Sequence, residues 1–99
     1  MKKHNLDLFK KCSEKELEEN IDLFNQVEWN IISYSQKLSE SFIEKHSHKL
    51  DWGWISIYQE LSEKFIMKHI DKISVFWLME NKKISNNIKK EIKTLKEII

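Results

Sequence analysis

Two stretches of this chain are nearly the same sentence. Laying Glu28–Leu50 over Asp51–Ile73, at an offset of 23, gives 12 identical pairs in 23 positions. They are Trp29/Trp52, Ile32/Ile55, Ser33/Ser56, Gln36/Gln59, Leu38/Leu61, Ser39/Ser62, Glu40/Glu63, Phe42/Phe65, Ile43/Ile66, Lys45/Lys68, His46/His69 and Lys49/Lys72. Glu28/Asp51 and Leu50/Ile73 are conservative pairs besides. A repeat this short cannot bury its apolar face alone, so its copies must pack on one another. Worn copies flank the clean ones. Downstream, Trp77, Leu78, Ile84, Ser85 and Ile88 fall under Trp54, Ile55, Leu61, Ser62 and Phe65. Upstream, Val27-Glu28-Trp29 closes a segment that aligns only with a shift in spacing.

Each full copy reads as two short helices. The acidic residue before Trp29 or Trp52 is expected to open the first, by offering a carboxylate to free amides. Trp29, Ile32, Ser33 and Gln36 then share one face by the i, i+3, i+4, i+7 rule, as do Trp52, Ile55, Ser56 and Gln59. Ser39 or Ser62 caps the second helix, with Glu40 or Glu63 in its first turn. Leu38/Leu61, Phe42/Phe65 and Ile43/Ile66 supply its buried side. The expected fold is all-α: a single domain over 1–99 of short stacked helical-hairpin repeats, α-solenoid-like. It has a degenerate first unit (5–27), repeats at 28–50 and 51–73, and a degenerate third unit with its cap (74–99). The cap is an amphipathic C-terminal helix from Ser85, with Ile88, Ile92, Leu95 and Ile99 on one face and Lys89, Lys90, Lys93 and Lys96 toward water.

Composition narrows the function. The chain has no Pro and one Gly, which suits helices better than sheets. Seventeen basic against 16 acidic residues leave a net charge of +1, unlike a DNA mimic or a strongly basic nucleic-acid binder. One cysteine, Cys12, allows no internal disulfide and fits a reducing cytoplasm. The start, MKKHNLDLFKKC, has no apolar run of a signal peptide, and no stretch has the length of a membrane span.

The pattern Asp/Glu-Trp-x-x-Ile-Ser-x-x-Gln-x-Leu-Ser-Glu-x-Phe-Ile, met at Glu28–Ile43 and again from Asp51 to Ile66, resembles a tandem repeat in many uncharacterised phage, prophage and giant-virus proteins. The resemblance covers Glu28–Ile73 well. It implies a helical repeat protein, phage-encoded and working in the host cytoplasm. It implies no catalytic residue. Small phage proteins of this size include inhibitors of bacterial defence systems, such as anti-CRISPR proteins; that link is by analogy of size and source.

Candidate sites follow from what repeats and what does not. His46, His48 and His69 suggest a metal site, but His46 and His69 occupy one repeat position, too far apart to share a metal, and these read as ordinary inter-helix loop histidines; His4 lies in an expectedly loose N-terminus. Ser33/Ser56 and Gln36/Gln59 are polar on a buried face, with no base or oxyanion motif, and read as partners for loop backbone. Cys12 sits beside Lys10 and Lys11, which could lower its pKa, but no second thiol or paired His supports a redox role. Residues 14–28 hold six acidic residues and one Lys, and residues 82–99 hold six Lys and two Glu, an acidic front and a basic back.

Positions that hold the fold stay constant between copies; the others are free to specialise. On the first helix these are Ile31/Trp54/Trp77, Tyr34/Ile57/Glu80 and Ser35/Tyr58/Asn81. Aligned over stacked copies they form a ladder rich in interface-type aromatics. The sequence thus points to a non-enzymatic protein–protein interaction module, with no cofactor and no metal, acting by occlusion of a host or viral protein. The alternatives are an accessory nucleic-acid binder using the Lys-rich C-terminal helix, and a structural self-associating repeat protein.

Overall fold

A computed structural model describes residues 3–98. Among these residues the chain is all-helical, with no strand. Its α-helices are α1 (Glu14–Glu19), α2 (Gln26–Ser35), α3 (Glu40–Lys45), α4 (Trp52–Tyr58), α5 (Glu63–Lys68), α6 (Val75–Leu78) and α7 (Asn86–Ile98), with a 3₁₀ turn at Ile21–Leu23. Most are shorter than the roughly 12 residues at which an isolated helix is even marginal, so packing and caps must hold them.

The caps are side chains. Ser13 accepts the Glu16 amide, Ser39 the Phe42 amide, Ser62 the Phe65 amide and Ser85 the Ile88 amide. The serines expected at Ser39 and Ser62 therefore do cap. The expected role of Glu28 is corrected: Asn25 caps α2, and Glu28 is the third helical residue, returning its carboxylate to the Asn25 amide in a capping box. Helices α1, α3 and α5 end at Asn20, His46 and His69, with φ between −110° and −114°. Among the described residues none has positive φ, and the lone glycine, Gly53, lies inside α4 rather than at a turn.

The chain divides into two compact units, Met1–Asp51 and Trp52–Ile99. In the first, Leu17, Trp29, Ile32, Phe42 and Ile43 form the core. Phe24 meets Trp29 edge-on at 5.6 Å, and His46 lies between Trp29 and Phe42, at 5.5 and 4.7 Å. Helix α1 grips α3 at both ends with carboxylates one turn apart. Glu14 accepts the Ser39 amide at 2.6 Å and its hydroxyl at 2.8 Å, while Glu18 accepts from His46 at 2.7 Å and pairs with Lys45 at 3.4 Å. Much of the acidic run is thus structural: Glu14, Glu16, Glu18 and Glu28 all bind within this unit. The expected loose end is also corrected, since His4 pairs with Glu28 and meets Phe24 edge-on at 4.9 Å.

In the second unit, Ile55, Leu61, Phe65, Ile66, Ile73, Leu78, Ile84 and Ile92 form the core. Helix α4 packs on α6, α5 on α7, and α6 on α7. His69 repeats the place of His46, between Trp52 and Phe65 at 5.4 and 4.6 Å. Both histidines lie in the turns between helices, as expected, and are buried there as walls of a core. Helix α7 has the expected apolar side in Ile92, with Ile88 and Leu95 half-buried; Ile99 lies outside the described residues. Its lysines do not all face water. Lys89 is buried and donates to the Met79 carbonyl at 3.3 Å, and Lys96 donates to the Ile73 carbonyl at 2.6 Å. Ion-like side chains here close the backbone ends of neighbouring segments, which an amphipathic pattern alone does not foretell.

Candidate functional site

The repeated polar residues are taken up by the fold. Ser33 Oγ donates to the Trp29 carbonyl at 2.8 Å and accepts the Asp51 amide at 2.9 Å. Ser56 does the same with the Trp52 carbonyl at 2.6 Å and the Ser74 amide at 3.0 Å. Each hydroxyl thereby fixes the residue that begins the following segment. Gln36 is a second fastening: its Nε2 donates to the Leu8 and Lys10 carbonyls at 2.8 and 2.9 Å, and its Oε1 accepts the Cys12 amide. Such saturated groups stabilise loop backbone that would otherwise be buried without partners.

Cys12 departs from expectation. Burial pushes its thiol above the ordinary value, and the carboxylates of Glu16 and Asp7 add to the rise, the opposite direction from the lowering expected beside Lys10 and Lys11. Among the described residues no group of three or more His, Cys, Asp and Glu could hold a metal ion, and no helix is long and apolar enough to cross a membrane.

The non-repeating positions divide. In the first unit Ile31, Tyr34 and Ser35 are half-buried, and the Ser35 hydroxyl donates to the Leu8 carbonyl at 2.6 Å. In the second, Trp54 and Tyr58 are 40% and 44% exposed, one turn apart on α4, with rings stacked at 5.7 Å and 23°. Trp77 on α6 is 44% exposed, Ile57 is half-buried and Glu80 is exposed. Asn81 is a correction: it is fully buried and belongs to no surface. Its Nδ2 donates to the Ser56 and Gln59 carbonyls, both at 2.8 Å, and its Oδ1 accepts the Lys83 amide. Helix α6 is only four residues long, so Asn81 lies in the turn beyond it and does for this segment what Gln36 does for the first unit.

One residue joins the surface that the repeat comparison passed over. Phe76 is 73% exposed and meets Trp77 edge-on at 4.9 Å. It stands where the clean copies have Asn30 and Gly53, so an aromatic appears at a position that elsewhere is small or polar. Two aromatic pairs, Trp54–Tyr58 and Phe76–Trp77, therefore stand on two helices that pack together. The flanking charges are mixed, with Glu60 and Glu80 beside Lys82 and Lys83, all exposed.

The basic helix offers less than its composition suggests. With Lys89 and Lys96 engaged on carbonyls, its exposed cations reduce to Lys90 and Lys93, interrupted by Glu91 and Glu97. Comparison of the chain with protein-family models, curated proteins and solved structures finds no match.

Proposed function

We propose that this chain is a non-enzymatic interaction module whose copies stack as an α-solenoid-like array, closed by α7, and that it captures a protein partner on the aromatic surface of α4 and α6. The observation that carries the reading is the exposure of Trp54, Tyr58, Phe76 and Trp77 in a fold that buries Trp29 almost completely. Trp and Tyr are the residues most often found as interface anchors, since one rigid ring offers a large contact area. The stacking is supported by the serine fastenings at Ser33 and Ser56 and by the packing of α4 on α6 and α5 on α7. The viral repeat that the motif resembles supports a small phage-encoded inhibitor of a host defence protein, of the anti-CRISPR kind, acting by covering a working surface.

The test compares wild type with the Trp54→Ala/Trp77→Ala variant in affinity capture from host extract, with circular dichroism to confirm the helices. The reading expects a variant that stays folded and loses the captured protein. Unchanged capture by a folded variant sinks it. Light scattering of the same samples separates self-association, which would show as a mass above one chain that falls in the variant. A steep loss of binding with salt would instead point to nucleic acid on the exposed lysines.

A further inference from the structure

In each internal copy the first helix carries a receiver for the segment that follows, and in the second copy it carries two. One is a serine hydroxyl that accepts the first amide of that segment: Ser33 takes Asp51, and Ser56 takes Ser74. The other, in the second copy, is the Ser56 carbonyl itself, which accepts a hydrogen bond from the Asn81 side chain of the following segment. The third segment keeps the same register. Its Ser74 stands at the place of Asp51, Leu78 is fully buried like Ile55, and Ser85 caps α7 as Ser62 caps α5.

Both receivers are gone from it. Twenty-three residues after Ser56 stands Met79, exposed where both serines are fully buried, with a thioether too weak an acceptor to hold an amide. Its carbonyl, the counterpart of the Ser56 carbonyl, is already taken. The donor is Lys89, which stands at the place of the fully buried Ile66, itself buried to 7% exposure, with its Nζ 3.3 Å from the Met79 oxygen. A lysine from the same segment thus donates the hydrogen bond that, one copy earlier, comes from the next segment.

We propose that Met79 and Lys89 make residues 74–98 a built terminus of the array, one that refuses a further copy, whether of this repeat or from a second molecule. A copy docking there would strand its first amide against Met79 and meet the buried Lys89 already donating to the Met79 carbonyl. Buried amides without partners are costly enough to decide such docking. The inference rests on the stacked reading of the repeats.

The experiment places one extra copy of residues 51–73 at two sites. Inserted between Ile73 and Ser74, ahead of the terminus, it should fold, raising the helical signal and the thermal midpoint. Fused after Ile99 through a flexible Gly/Ser linker, it should remain open to protease with no such gain. The same fusion on the Met79→Ser/Lys89→Ile chain should become protected; Met79→Ser alone serves if the double variant unfolds. Protection of the fused copy on the wild-type chain overturns the closure and leaves the stacking intact. Failure to become protected on a folded variant removes the role of these two residues. Failure of the inserted copy to fold overturns the stacking and the closure with it.

Discussion

His46 Nε2 lies 2.7 Å from Glu18 Oε1, and this bond joins α1 to the C-terminal end of α3. The His46 hydrogen bond is the main reason that the Glu18 carboxyl is held below its ordinary range; burial opposes it, and the charges of His46 and Lys45 add to the lowering. A carboxylate whose folded pKa is depressed stabilises the fold above its unfolded value, near 4.3. That contribution is lost as pH falls through the folded pKa. Urea midpoints measured from pH 6 to pH 2 should decline for wild type, and Glu18→Gln should be less stable at pH 6 with a shallower decline. An identical pH profile in the two proteins would refute the linkage. Glu28 works in the same direction: burial raises its pKa, but the His4 bond and the Asn25 amide together outweigh it.

Glu63 is the opposite case. A hydrogen bond with Glu91 and the repulsion between the two carboxylates raise the Glu63 pKa, so its charged form is disfavoured in the folded state. Folding is then weakened at pH above that raised value and relieved on protonation. Replacing Glu63 by Gln should raise the thermal midpoint at pH 7 and leave it unchanged near pH 3.

Removing the Asn81 side chain strands the Ser56 and Gln59 carbonyls in a buried site. Asn81→Ala should cost about 2–3 kcal/mol in urea unfolding. A cost within about 0.5 kcal/mol, the range of an ordinary surface change, would show that water replaces the amide.

The surface and core aromatic and aliphatic groups of α4 should separate cleanly. Ile55→Ala, at a fully buried site, is expected to cost about 2–5 kcal/mol. Trp54→Ala and Tyr58→Ala should each cost much less, because those rings keep much of their surface in water. Equal losses at all three sites in thermal unfolding would mean that the exposed pair is packing rather than an interface.

Cys12 should react slowly. Its raised pKa leaves little thiolate at pH 8, so alkylation by iodoacetamide is expected to be slower in the folded chain than in urea. A folded-state rate equal to the unfolded one would contradict the burial that underlies the shift.

The sequence revealed most where the copies agree. Pairs such as Ile32/Ile55, Ser33/Ser56 and Ile43/Ile66 are all fully buried, and the Ser39 and Ser62 caps lie where the pattern put them. The capping box at Asn25 is written in the spacing Asn-x-x-Glu, in which Glu28 is the third helical residue rather than the cap. The less legible residues lie outside the clean copies. The turn after the shortened α6 carries Asn81 into the interior, and Lys89 replaces an isoleucine while keeping its burial. Neither an amide nor a lysine reveals from its type alone that a particular carbonyl awaits it. The pairing of His4 with Glu28 depends likewise on tertiary proximity across 24 residues.

The turns of this fold are made without glycine and without left-handed backbone among the described residues. That has a consequence for the unfolded chain. Residues such as His46 and His69 at helix ends explore far fewer conformations when unfolded than glycines would, so less freedom is lost when each turn closes. Part of what favours these short helices therefore lies outside the native contacts, in how little the denatured ensemble has to give up.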